Sequence, residues 1–233
     1  MKRMTYFSIA ILLNLILAQN ASAGTVSGAV KFTGAAPEPT AINMDADPTC
    51  SSAHAEPVYA DDVVVNSNGT LKNVFVYVKS GLEGQTIPTA TGTVTMDQHG
   101  CQYSPHVFGV QLGQDVEIVN SDPTLHNVHG MPKQSKEFNL GMPIQGMKIK
   151  RKFDKPEVMV KFKCDVHPWM SAYAGVLTHP FFSVSNETGA FEIKDLPAGT
   201  YEIEAWHEKY GTQTQSITVD AAGAQTADFA FAG

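Results

Sequence analysis

Short stretches in which apolar and polar residues alternate run through most of this sequence and limit it to a β fold. In these stretches every second side chain lies on one face, which is the period of a half-buried strand. Examples are TVSGAVKF, KNVFVYVKS, QDVEIVN, AFEIKD and TYEIEAW. Turn-forming sequences separate them, among them NSNG, NSDP, NETG and DLPAG. We therefore expect a nearly all-β protein built as sandwiches or barrels.

The first 23 residues have the composition of a secretory signal peptide. Lys2 and Arg3 precede an apolar run over residues 6–18, and small residues at 21–23 form a cleavage site. The run is short for a membrane span, and no later apolar stretch is long enough to cross a bilayer. We expect cleavage after Ala23 and a periplasmic or secreted protein. An uncleaved N-terminal anchor is the alternative.

The net charge limits the classes of partner, and the number of cysteines indicates a free thiol. The chain carries a net charge of −7, which disfavours nucleic acid and anionic lipid as partners. Its cysteines are Cys50, Cys101 and Cys164. Export to an oxidising compartment favours disulfide formation, and an odd number of cysteines leaves one thiol for another use.

The sequence CDVHPWM, residues 164–170, contains three kinds of metal ligand. An alternating strand ends at Cys164, and a tight loop after it can turn His167 and Met170 back toward the thiolate. His126, which follows an Asp-Pro turn, offers a second imidazole. One thiolate, two imidazoles and a weak axial thioether are the ligands of blue copper sites, whereas zinc gains nothing from a thioether. We predict one copper ion bound by His126, Cys164, His167 and Met170.

The other histidines have simpler explanations. His129 competes with His126 for the metal, but a residue three positions further along an extended strand points to the opposite face. His179 and His207 are expected to be structural or surface groups.

Two motifs in this order, HNVH at residues 126–129 and the C-x-x-H-x-x-M loop at residues 164–170, resemble the cupredoxins, and most closely their amicyanin-like members. The segment GVQLGQDVEIVNSD is similar to the strand that precedes the first histidine ligand in that family. The resemblance implies a Greek-key β-sandwich or barrel over residues 85–176 and the same four copper ligands. It also implies that Asn127 ties the two ligand loops together by hydrogen bonds.

A second resemblance concerns the C-terminal tail. GAFEIKDLPAGTY, residues 189–201, resembles a hairpin of the carboxypeptidase regulatory-like (transthyretin-like) β-sandwich. The V-x-G-x-V strand that opens that fold is missing from the tail, but VSGAV at residues 26–30 fits it. We therefore expect residues 24–84 and 177–233 to form a second small β-sandwich, with residues 85–176 inserted between them. Two tandem domains with an N-terminal extension are the alternative.

With Cys164 assigned to the metal, Cys50 and Cys101 can form a disulfide that joins the N-terminal segment to the inserted domain. The alternative is a second metal site, in which these two cysteines act together with His54 and His106.

These features predict an exported mononuclear type 1 (blue) copper protein that carries single electrons and is not an enzyme. Its redox partner is expected to be a protein, either a cytochrome c or a dehydrogenase. One alternative is a copper-binding or copper-sequestering surface protein. Another is a mononuclear copper enzyme, which would need an open copper position. The sequence contains no H-x-H pair of the kind found in trinuclear copper centres.

The partner's docking surface is expected around His167, the ligand predicted to reach the surface. Pro168 and Trp169 flank it in the sequence, and Met142 and Pro143 are candidates to join the same small apolar patch. The alternative is that Trp169 is buried and packs the ligand loop onto the barrel.

Overall fold

The structure, a computed structural model, describes residues 23–233. The predicted signal peptide lies outside the described residues except for Ala23. Among the described residues the regular structure consists of strands and one short helix, α1 (Pro48–Ser52), so the all-β prediction is confirmed. No helix within residues 23–233 is long and apolar enough to cross a membrane.

The strands are β1 (Gly24–Thr33), β2 (Phe75–Ser80), β3 (Thr93–His99), β4 (Gln102–Ser104), β5 (Val107–Gln111), β6 (Asp115–Asn120), β7 (His126–Met131), β8 (Phe138–Met142), β9 (Lys148–Arg151), β10 (Glu157–Lys163), β11 (Ser171–Leu177), β12 (Phe182–Val184), β13 (Ala190–Leu196), β14 (Gly199–His207), β15 (Gly211–Val219), β16 (Ala224–Thr226) and β17 (Phe229–Ala232).

The first sandwich is built from β3 to β11. One sheet has the order β5-β11-β10-β7-β8, and the other has the order β4-β3-β6-β9. The apolar faces of both sheets meet in one core that includes Met96, Ile118, Val128 and Phe162. In β6 the sequence DVEIVN alternates half-buried and buried residues along its whole length, which is the pattern of a strand with one face on a core.

The second sandwich combines strands from both ends of the chain. One sheet has the order β13-β1-β16, with β17 also paired to β1, and the other has the order β12-β2-β14-β15. Its core includes Val26, Phe191, Ile203 and Phe229. Since β1 and β2 precede the first sandwich and their partners follow it, these pairings support the proposal that residues 85–176 are an insertion.

Part of the segment 24–84 packs on the first sandwich instead of the second. We call residues 41–60 the N-terminal arm. Its ends are held together because the Ile42 amide donates to the Val58 carbonyl at 2.8 Å. Met44 and Cys50 are buried in the core of the first sandwich. The arm therefore lies against the sandwich that carries the predicted metal ligands.

Candidate metal centre

The first predicted ligand, His126, begins β7 after a turn that is fixed by the side chain of Asn120. This side chain accepts from the Asp122 amide at 3.0 Å and donates to the Thr124 carbonyl at 3.0 Å. Asn120 and His126 are both fully buried. The turn between β6 and β7 is therefore held from inside, and it directs His126 into the end of the first sandwich.

The other three predicted ligands lie on the tight loop after β10. The Cys164 amide donates to the Met170 carbonyl at 3.2 Å, and the Met170 amide donates to the His167 carbonyl at 3.0 Å. The His167 amide donates to Cys164 Sγ at 3.3 Å. These bonds close the loop on itself and satisfy backbone groups that burial would otherwise leave unpaired.

The structure brings His126, Cys164 and His167 together. Their candidate ligand atoms all lie within 4.8 Å of one another. The two Nδ1 atoms are 2.9 Å apart, and Cys164 Sγ is 3.9 Å from His167 Nδ1. Met170, at the end of the same loop, is 1% exposed. The loop thus supplies a thiolate and an imidazole that meet the imidazole of His126, and it also carries the Met170 thioether; nitrogen and sulfur donors of this kind are soft ligands.

Each of the two imidazoles has a carboxylate at its outer nitrogen. His126 Nε2 lies 2.9 Å from Asp122 Oδ2, and His167 Nε2 lies 3.0 Å from Asp47 Oδ2. An ionised carboxylate can only accept a hydrogen bond, so each Nε2–H donates outward and each Nδ1 faces inward. Two inward Nδ1 atoms 2.9 Å apart need a proton or another cation between them, so the residues present fit a bound metal ion.

The pKa values of the metal-free groups follow from these contacts. Burial disfavours the charged form of His126, but hydrogen bonds with Asp122 and Cys164 outweigh it and raise its pKa to about 9. Burial also opposes ionisation of Cys164, but hydrogen bonds from His126 and from backbone amides outweigh it and lower the pKa of the thiol. A metal ion must therefore displace a proton from this site when it binds.

The carboxylates are held in their ionised form. Burial works against ionisation of Asp47, but hydrogen bonds from His167, Thr49 and Thr124 overcome it and lower its pKa to about 2. For Asp122 burial likewise opposes ionisation, and hydrogen bonds from His126 and the Cys101 and Gly100 amides outweigh it and lower the pKa. Both imidazoles therefore donate to anions.

Asn127 connects the two ligand loops. Its Oδ1 accepts from the Asp165 amide at 2.7 Å and lies 3.3 Å from Cys164 Sγ. Its Nδ2 donates to Asn139 Oδ1 at 2.6 Å and to Asp165 Oδ2 at 3.2 Å. A side chain that fixes the backbone next to a ligand limits how far the ligand can move when its charge changes.

The other cysteines and two further histidines were also predicted as site residues, and other bonds occupy them. Cys50 and Cys101 form a disulfide, so their sulfurs are unavailable as thiolates, and the idea of a second metal site on them is wrong. His54 contacts the Gly100 carbonyl at 2.7 Å. His106 lies between the Ser171 carbonyl, at 3.0 Å, and the Glu208 carboxylate, which belongs to the second sandwich.

The remaining histidines have polar partners or are buried. His129 lies between Asp165 Oδ2, at 3.1 Å, and Glu137 Oε1, at 2.6 Å. His179 is 7% exposed and His207 is 2% exposed, which agrees with a structural role for both.

The predicted exposure of the site is wrong for two residues. His167 is 2% exposed, because the N-terminal arm covers its outer edge, and Met142 is fully buried in the core. Pro168 is exposed. Trp169 is half-buried against the core of the first sandwich, and its Nε1 donates to the Cys101 carbonyl at 3.0 Å. Packing of the ligand loop, the alternative stated for Trp169, accounts for these contacts.

Asp47 and Asp122 were not predicted as site residues. Both stand in the tripeptide Asp-Pro-Thr, at residues 47–49 and 122–124. The repeated tripeptide is a signal that could have drawn attention to them, since Asp before Pro commonly begins a turn or caps a helix. Asp122 also lies four residues before His126, which is close enough for a local contact.

The comparison with protein families concerns the tail of the chain. Residues 177–232 match the carboxypeptidase regulatory-like domain. The resemblance seen in the hairpin of residues 189–201 is thereby confirmed for the C-terminal strands. No curated protein matches this sequence significantly.

Solved structures similar to this chain include several cupredoxins. A purple cupredoxin from Nitrosopumilus maritimus is 21% identical, with a TM-score of 0.31, and the match covers 36% of this chain and 98% of that one. An amicyanin variant in the Cu(I) state is 22% identical, with a TM-score of 0.33, over 39% of this chain and 96% of that one.

A copper-containing nitrite reductase from Thermus scotoductus is also similar. It is 21% identical, with a TM-score of 0.34, and the match covers 42% of this chain but only 25% of the reductase. Similarity this low says nothing about function in this chain.

Proposed function

We propose that this protein is an exported mononuclear type 1 copper protein that carries single electrons between redox partners. The observation that carries the proposal is the convergence of ligand atoms from His126, Cys164 and His167 within 4.8 Å of one another. With Met170 on the same loop, this donor set matches blue copper better than zinc or a hard cation. Bound there, copper supplies one-electron chemistry between its Cu(I) and Cu(II) states.

The contribution of the chain is to hold these donors in one arrangement and to keep water away. His126 is 0%, Cys164 and Met170 are each 1%, and His167 is 2% exposed. The carboxylates fix the histidine rings from outside, and Asn127 joins the two ligand loops. A fixed arrangement of ligands that suits both oxidation states of copper favours fast electron exchange. A site that is closed to substrates supports the function of an electron carrier over that of an enzyme.

The partners and location of the protein belong to the same proposal. A protein donor or acceptor, a cytochrome c or a dehydrogenase, would meet it in the periplasm or outside the cell. The covered edge of His167 requires electrons to cross a layer of protein, which excludes direct contact between the partner and that imidazole.

A coulometric titration of the copper-loaded mature protein tests the proposal. We expect one copper per chain and one electron taken up and released reversibly. The Cys164→Ser variant should lose this reversible couple, whereas Ser183→Ala, a matched change on a half-buried strand residue of the second sandwich, should keep it. Tight copper binding without a reversible couple would favour sequestration and contradict the proposal.

A further inference from the structure

The outer edge of His167 is covered by the N-terminal arm, which belongs to neither ligand loop. Asp47 caps the N-terminus of α1 by accepting from the Thr49 amide through Oδ1 at 2.7 Å. Its second oxygen, Oδ2, lies 3.0 Å from His167 Nε2 and accepts from Thr124 Oγ1 at 3.0 Å. One carboxylate thus joins the arm to the loop before His126 and to the loop that carries His167.

The arm is also attached covalently at the same place. The Cys50–Cys101 disulfide links α1 to the turn between β3 and β4, and Cys50 Sγ lies 3.6 Å from His167 Nε2. Met44 anchors the arm in the core of the first sandwich. The arm is therefore held by a disulfide, by an apolar anchor and by the Asp47 contacts.

We propose that Asp47 is a positioning residue for the metal centre and that the arm acts as a fixed cover over His167. The Asp47 carboxylate holds the imidazole with Nε2–H outward and Nδ1 inward. Cys164 Sγ lies on the inner side of His167, 3.9 Å from its Nδ1, so an arm that holds this ring in place also keeps water and reagents from reaching the thiol past it. The negative charge of Asp47 also stabilises the more positive, oxidised state of the centre. The part of this inference that concerns reduction potential rests on the proposed copper function, whereas the part that concerns protection of Cys164 does not.

The first test uses the metal-free protein and the reaction of Cys164 with Ellman's reagent. Asp47→Ala removes the acceptor for His167, Thr124 and the Thr49 amide, and loss of three such bonds to an anion should speed the reaction about tenfold or more. Asp47→Asn keeps one acceptor oxygen, which can face either the Thr49 amide or His167 and Thr124 but not both, so its rate should lie between those of Asp47→Ala and the natural protein. Asp45→Ala is the matched control, because Asp45 is an exposed aspartate of the same arm, and it should change nothing.

The second test uses the copper-loaded protein and its reduction potential. Asp47→Asn removes the charge but retains an acceptor, so its potential should become more positive, whereas Asp45→Asn should leave the potential unchanged. Circular dichroism of each variant shows whether it is folded. If Asp47→Ala does not fold, the double variant Cys50→Ser and Cys101→Ser replaces it, because Cys164 is then the one cysteine left to react. Loss of the disulfide should speed modification of Cys164, and an unchanged rate would overturn the cover.

The outcomes separate this inference from the proposed function. Equal rates of Cys164 modification in Asp47→Ala, Asp45→Ala and the natural protein would contradict the proposal that the arm covers the site. Equal potentials in the two Asn variants would overturn the electrostatic role of Asp47. A centre without a reversible copper couple would refute the proposed function, while the protection of Cys164 would still be measured independently in the metal-free protein.

Discussion

The ring of Trp169 lies against the imidazole of His167, with ring centroids 5.1 Å apart and planes inclined by 41°. Trp169 Nε1 donates to the carbonyl of Cys101, which carries one half of the disulfide. His167 is therefore held between an aromatic ring of its own loop and the Asp47 carboxylate of the N-terminal arm.

Trp169→Ala should destabilise the protein and alter the metal centre. A half-buried Trp is removed from a core, so the free energy of unfolding should fall by about 2–4 kcal/mol. The imidazole of His167 would lose the ring beside it, so the visible spectrum of the copper-loaded variant should shift. Urea unfolding and absorption spectroscopy measure these two effects.

Trp206→Ala is the control for this prediction. Trp206 is also half-buried and packs against Tyr173, with centroids 5.1 Å apart. It belongs to β14 of the second sandwich, so its removal should lower stability while the spectrum stays the same. An unchanged stability and spectrum in Trp169→Ala, together with slower electron transfer to a partner, would instead support a docking role for Trp169.

The disulfide should be detectable by counting thiols. The denatured, metal-free, unreduced protein should show one reactive thiol, that of Cys164. The bond joins residues separated by 51 positions, so the double change Cys50→Ser and Cys101→Ser should lower stability by about 4 kcal/mol. Three reactive thiols in the natural protein would show that the bond does not form.

The ligand loop and most strands could be predicted from the sequence because their signals are local. The alternation in QDVEIVN marks β6, and C-x-x-H-x-x-M sets three donors within one loop. The cover over His167 could not be predicted in this way, because Asp47 and His167 are 120 residues apart. Their contact depends on how the arm packs on the first sandwich, and no periodic pattern in the sequence predicts that packing.

The association of the N-terminal arm with the first sandwich has a similar explanation. Met44 and Cys50 are two isolated apolar residues between turn sequences, so neither strand period nor helix period identifies the core that they join. The pairing of Cys50 with Cys101 is the feature of the sequence that connects the arm to this sandwich, and the structure contains this bond.

Acid should weaken the second sandwich through His207. Burial lowers the pKa of His207 from its usual 6.5 to about 4, so the folded protein keeps it neutral where the unfolded chain is already protonated. Between these values the unfolded state binds more protons, and stability falls as the pH drops from 6.5 toward 4. Over this pH range the free energy of unfolding should fall by up to roughly 3 kcal/mol through His207.

Urea unfolding at pH 7 and pH 5 measures this effect. His207→Gln should be less stable than the natural protein at pH 7, but it should lose less stability on acidification. Gln213→Ala, a change at an exposed position of β15, is the control and should show the pH dependence of the natural protein. Identical pH dependence in His207→Gln and the natural protein would contradict the assigned role of burial.

The visible absorption spectrum of the copper-loaded mature protein tests the central claim most directly. Thiolate coordination through Cys164 predicts an intense band that colours the oxidised protein blue or green, and the Cys164→Ser variant should lose that band. A colourless copper complex, or an intense band that persists in Cys164→Ser, would contradict a type 1 copper centre at His126, Cys164, His167 and Met170.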